Sequence, residues 1–265
     1  MQGNGKERSY GGVTETPDTR GSSEQIARLY TRYRFASGFC EGKDVLEVAC
    51  GAGIGLGYLA RHARRVVGGD IDENNLRYAR QTYTGKHNIE ICLMDAQSLP
   101  FGGGVFDAMI LYEAIYYLQD AEKFVSEAHR VIRKGGVLLV CTVNKDWPGF
   151  NPSPYSHRYF SSDELFGLLK AGGFSDIALY GDCPATPATL KGKLISGIKR
   201  AAVALHLIPK TMKGKELLKR IFFGKLRPLP PEIDDGIAEY TPPRPIDAAL
   251  PNRDFKVLFA AAKKP

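Results

Sequence analysis

The 265-residue chain has no apolar run of the roughly 18 residues that a membrane-crossing helix needs. Its first 23 residues are polar and rich in glycine, without the apolar centre of a secretory leader, so they are expected to form a flexible tail on a cytoplasmic protein. Cysteine is sparse: Cys40, Cys50, Cys92, Cys141 and Cys183 form no C-x-x-C pair, and none lies near a histidine at metal-ligand spacing. That excludes a disulfide scaffold or a zinc module and predicts reduced thiols and no metal. No internal repeat is visible, which excludes solenoid and propeller architectures.

Hydrophobic residues, by contrast, make up 43% of the chain, enough for a full core and against global disorder. The length fits one α/β domain with an insertion. The net charge of +7 is local. Between Lys191 and Arg227 there are 11 Lys/Arg and one acid, Glu216, whereas the remainder has 25 basic and 28 acidic residues. The basic character belongs to one surface.

Strand and helix patterns alternate from residue 24 onward. A helix is expected over 24–39, capped by Ser22 or Ser23. Apolar runs at 44–49, 65–69, 89–94, 106–111 and 137–143 read as strands buried on both faces. Helical patterns at 58–62, 74–82 and 121–133 lie between them, the last stopped by Lys134-Gly135-Gly136. Ser161 and Glu164 form a capping box before Leu165, Leu168 and Leu169. Two further strands are expected at 175–180 and 254–262. The alternation predicts a doubly wound, Rossmann-like, seven-stranded and mostly parallel sheet, its last strand antiparallel. The segment 182–252 breaks the rhythm with basic amphipathic helices and a proline-rich stretch. The expected organisation is therefore a tail at 1–23, a core domain at 24–181 and 253–265, and a basic cap at 182–252.

The chemistry is concentrated in Glu47-Val-Ala-Cys-Gly51-Ala-Gly53-Ile-Gly55, where a strand turns into a helix. Glycines there permit a sharp turn and close backbone approach, and helix amides face the ligand. Dehydrogenases use a similar turn. A carboxylate four residues before Gly51 disfavours a passing pyrophosphate, however, and suits a cofactor with a cationic aminoacyl end. Asp70 closes the second strand, where a carboxylate can accept from a ribose diol. Asp95 closes the third, where a carboxylate and the following amide can read an adenine edge. In a parallel sheet three such acids converge on one crevice.

In order along the chain, EVACGAG, GGDID, MDAQSLPF, FDAMILYEAIYYLQD, HRVIRKGG and RYFSSDELFGLLKAGGF resemble the class I S-adenosylmethionine-dependent methyltransferases, small-molecule and quinone-biosynthesis-like branch. The resemblance covers residues 24–181 and the last strand. It implies that Glu47, Ala49, Gly51 and Gly53 hold the methionine part of S-adenosylmethionine, Asp70 the ribose, Ile71 the adenine face, and Asp95 with Ala96 the adenine amine. Tyr112 and Glu113 would lie beside the methyl group. Ala49 stands where the family often has glycine, and Tyr116-Tyr117 stand near positions that often carry histidine. Asp72 reads equally as a helix cap, Asp107 as an ion-pair residue, and Tyr117 as a packing residue. Tyr30 and Arg34 of the first helix are candidate cofactor clamps, although an ordinary amphipathic helix explains them nearly as well.

The expected reaction is in-line methyl transfer, leaving S-adenosylhomocysteine and needing no metal. His157, Glu113 and Tyr116 are the candidates for handling an acceptor proton, with His157 expected on the cofactor face near Asp146 and Tyr159. In this family the last two strands usually form a simple hairpin, so the cap is expected to hang over the acceptor site. A basic cap suits an anionic small molecule or a lipid-linked glycan, with peripheral membrane contact as a further reading. Nucleic acid is disfavoured: only Phe222 and Phe223 could stack within the basic patch, and Tyr112-Glu113-Ala114-Ile115 replaces the base-methylation motif. A tRNA acceptor, a nicotinamide-dependent oxidoreductase and a non-catalytic cofactor-binding module are the alternatives.

Overall fold

The computed structural model of the protein describes residues 14–17, 19–185, 226–248 and 250–265. The runs that alternate in sequence form one eight-stranded sheet. Its strands, in chain order, are β2 (Asp44–Val48), β3 (Arg65–Asp70), β4 (Ile89–Leu93), β5 (Phe106–Tyr112), β6 (Ile132–Val143), β7 (Ser175–Pro184), β9 (Arg244–Ile246) and β10 (Phe255–Lys263). The spatial order is β4-β3-β2-β5-β6-β10-β7-β9. β2 to β6 pair in parallel, and β10 enters antiparallel between β6 and β7. All five residues of β2 are buried, as a strand covered on both faces requires.

Helices cover both faces: α1 (Ser23–Ser37), α2 (Leu56–Ala60) and α3 (Glu73–Thr82) lie with one core cluster, α4 (Ala121–Val131) and α5 (Ser162–Ala171) with the other. Their ends follow the sequence. Ser22 and Gln25 form a reciprocal capping box on α1, Ser161 and Glu164 form another on α5, and the Asp72 carboxylate accepts from the Asn74 amide to start α3. At the amino end of the sheet, Asp107 accepts from the Asp44 amide and pairs with Arg133. Its role there is structural.

Three features depart from the sequence reading. First, α4 ends at Val131 and Ile132 is already extended, so β6 begins five residues before the apolar run. Gly135, at φ 78°, carries the irregularity between the Phe106–Ile132 and Ala108–Val137 pairs. Second, β9 adds an eighth strand on β7. Prolines at 242, 243 and 245 hid it, yet an edge strand tolerates them because one side of its backbone needs no partner. Third, the described part of the expected tail is packed. Thr16 is buried, and β1 (Arg20–Gly21) pairs with β8 (Arg227–Pro228) as a small antiparallel ribbon. The basic helices expected between 191 and 225 lie outside the described residues.

Candidate active site

The carboxyl ends of β2, β3 and β5, with the loop after β4, open on a cavity of about 550 Å³. The topology places it there because the connections leaving the parallel strands diverge at that edge. Glu47, Ala49, Gly51, Asp70, Ile71, Asp95, Ala96, Tyr112, Glu113 and Tyr116, all expected from the sequence, line it. Further wall comes from α1 (Gln25, Arg28, Leu29, Arg32, Tyr33), from Thr14 and Glu15, from Asn75, Gln97 and Tyr117, and from Val143 at the end of β6.

Glu47 lies within β2 with only 2% of its surface exposed. The Tyr33 hydroxyl donates to its Oε1 at 2.6 Å, while Oε2 has no hydrogen-bond partner among the described residues. Burial pushes the Glu47 carboxyl up to about 7, against the lowering influence of the Tyr33 hydrogen bond and the Arg32 charge. The Tyr112 hydroxyl is also buried with no hydrogen-bond partner among the described residues. A buried carboxylate oxygen with no donor, in a cavity wall, is what an ammonium group would complete.

The neighbouring strands supply the other polar groups. Asp70 accepts from the amides of Gly51 at 2.9 Å and Asp72 at 2.8 Å. Burial raises its carboxyl, and those two amides oppose the shift. The Asn75 side chain is a third donor to this carboxylate, which with about four acceptor sites keeps capacity for a hydroxyl. Asp95 accepts from the Gln97 amide at 2.8 Å, and Ile71, 58% exposed, lines the same cavity with an apolar side chain.

Two lining residues occupy strained backbone. Ala49, at the end of β2, has φ 54°, and Glu113, at the end of β5, has φ 52°. An L-residue there costs roughly 1–2 kcal/mol, which explains why glycine is common at the first position. Glu113 turns its Oε2 to the Tyr116 hydroxyl at 3.0 Å and its Oε1 to Arg28 at 3.6 Å.

Residues 46–140 match the family model of a methyltransferase domain. The sequence is 37% identical over 139 residues to a probable S-adenosylmethionine-dependent methyltransferase of Mycolicibacterium smegmatis, covering 51% of this chain and 53% of that one. It is 32% identical over 174 residues to another of Mycobacterium tuberculosis, covering 64% and 62%. The chain thus spans less than two thirds of the length of these relatives. In fold it resembles an S-adenosylmethionine-dependent methyltransferase of Thermotoga maritima, with a TM-score of 0.57 at 15% identity over 92% of both chains. Residues 46–140 are thus similar to a methyltransferase domain, and the fold is shared with solved methyltransferases.

Several residues expected in the site stand elsewhere. Tyr30 and Arg34 do not line the cavity: the Tyr30 hydroxyl donates to Asp235 at 2.9 Å, and Arg34 lies over the Tyr240 ring. The helix presents Gln25, Arg28, Leu29, Arg32 and Tyr33 instead, at i, i+3, i+4, i+7 and i+8. That spacing was readable in advance; what the sequence lacked was which face meets the sheet. Gly53 also stands behind the wall. Its φ is 75°, and a Cβ there would come 2.8 Å from the Cβ of Ala79, so it serves the packing of the loop on α3.

His157 is exposed and outside the wall; its backbone amide donates to the Tyr116 carbonyl at 2.8 Å. Tyr159 stacks on Tyr116 with ring centroids 5.0 Å apart, and the Asp146 amide bonds Asn144. The loop after β6 therefore buttresses Tyr116 and does not supply the cavity with a base. No described residue after Val143 lines the cavity, so the described part of the expected cap does not roof it. Among the described residues no group of three or more potential metal ligands occurs, and no helix is long and apolar enough to cross a membrane.

Proposed function

We propose that the protein transfers a methyl group from S-adenosylmethionine to a small molecule bearing a hydroxyl or amine. The observation that carries the reading is the unpartnered Glu47 Oε2, buried in the wall of a cavity that also presents Asp70 and Asp95. Glu47 would hold the cofactor's ammonium group, Asp70 its ribose, and Ile71, Asp95 and Ala96 its adenine. When bound, the cofactor supplies an electrophilic methyl group on a sulfonium sulfur.

The protein's own contribution is alignment, exclusion of water and movement of one proton. Tyr116 and Glu113 form the hydrogen-bonded pair suited to that last task, and both line the cavity. The Tyr159 ring, against Tyr116, fixes the phenol's orientation. An anionic acceptor remains part of the proposal on the basic character of residues 191–227; the described wall, with Arg28 and Arg32 against five carboxylates, supplies no net positive field of its own.

The test is formation of S-adenosylhomocysteine during a screen of hydroxyl- and amine-bearing acceptors. Tyr116→Phe and Glu113→Gln should each lower kcat by about 10²-fold or more. Tyr116→Phe should leave affinity for S-adenosylhomocysteine unchanged. Full turnover by both variants would remove the pair from the reaction.

A further inference from the structure

Arg32 is a charged side chain with almost no access to water: the residue is 8% exposed, and its Nε is buried without a hydrogen-bond partner among the described residues. Its Nη2 donates to Glu15 Oε2 at 2.6 Å. Glu15 belongs to the segment before α1, and its side chain is 38% exposed, so this carboxylate reaches in from the surface to meet a buried cation. The next residue along α1, Tyr33, holds Glu47. The cavity therefore presents, side by side, an unpaired carboxylate oxygen and a guanidinium whose only ion-pair partner among the described residues is Glu15. An acceptor for a cation beside a donor for an anion is complementary to the zwitterion of an α-amino acid.

We propose that Glu15 is a surrogate ligand: its carboxylate occupies the place on Arg32 that the carboxylate of the cofactor's aminoacyl end takes, and binding exchanges one for the other. The inference rests on the functional reading above and adds an internal competitor to it. The exchange keeps Arg32 paired throughout, so no buried charge is left bare. It also frees the strap that covers the cavity. Thr14 crosses Gly51 so closely that a Cβ there would lie 2.9 Å from its Cγ2, and its hydroxyl accepts from Asn75 at 3.2 Å. The anchor of the strap remains: the Leu229 amide bonds the Thr19 carbonyl, and β1 stays paired with β8. Among the described residues, displacement is thereby confined to 14–17.

The test is calorimetric titration of the full chain and of Glu15→Gln with two ligands, S-adenosylhomocysteine and 5′-methylthioadenosine. The second keeps the adenosine and the sulfur but has no aminoacyl group. Glu15→Gln removes the competing charge while leaving an amide oxygen for Arg32, and circular dichroism checks that it is folded. Removing a competitor raises the competent fraction, so S-adenosylhomocysteine should bind about threefold tighter or more, and methylthioadenosine with unchanged affinity. Unchanged or weaker S-adenosylhomocysteine binding overturns the exchange. Equal tightening of both ligands also overturns it, by showing a strap that blocks the adenosine site without competing for Arg32. Binding of neither ligand to either protein overturns the cofactor reading together with it.

Discussion

Glu47 shows how one residue sets function against stability. Burial pushes its carboxyl up from about 4.5 to about 7, because the charged form is penalised. A folded-state value raised above the unfolded one gives stability that is fully present below about 4.5 and is lost as pH rises through 7. The shift is worth on the order of 3 kcal/mol. Glu47→Gln should therefore raise the melting temperature of the ligand-free protein at pH 8 and raise it less at pH 5. The same variant should bind S-adenosylmethionine at least tenfold more weakly, since the ammonium loses its charged partner. In the wild type, affinity should fall as pH drops from 8 to 6; a flat profile in calorimetry would show that Glu47 does not receive the ammonium. Glu47, Asp70 and Asp95 were legible as candidates in the sequence because an acid at or near the carboxyl end of a strand has few structural uses. The strain at Ala49 and Glu113 was not legible, since neither position carries the glycine that usually marks a positive φ.

At the scale of elements, the glycine turn and α3 act together. Gly53→Ala places a methyl group against Ala79 and forces an L-residue into positive φ, so it should destabilise by roughly 1–3 kcal/mol in urea denaturation. Wild-type stability in that variant would mean the turn can move away from α3. The helix α1 offers a paired test. Arg34→Ala, on the face turned to Tyr240, should leave cofactor affinity within about twofold, as expected of a surface-side contact worth a few tenths of a kcal/mol. Arg32→Ala should weaken it at least tenfold. The amphipathic spacing of α1 was plain, but choosing the face needs the position of the sheet. Capping boxes and the buried strand runs survived intact because each is specified within a few neighbouring residues. The start of β6 and the strand β9 depend on partners far along the chain, and local pattern could not supply them.

Across the molecule, the stretch that returns from the basic segment is docked on the back of the glycine turn. The Ile233 amide donates to the Ile54 carbonyl, Asp235 accepts from both Tyr30 and Tyr58, and Arg61 pairs with Glu232 and Asp234. Proline-rich composition concealed this, because each contact is made to a residue 171–205 positions away. Asp235→Ala should lower the melting temperature by a few degrees and loosen cofactor binding in step, since both phenols lose a partner that holds α1 against α2. Loss of stability with unaltered binding would confine the dock to a structural role.

The central claim is that the acids at the strand ends form a site for S-adenosylmethionine. Calorimetric titration of S-adenosylmethionine and S-adenosylhomocysteine into the wild type and Asp70→Ala tests it most directly. The account predicts micromolar binding of both ligands, about −8 kcal/mol, strongly weakened by the substitution. Absence of binding to the folded wild type, or equal binding by Asp70→Ala, would contradict it.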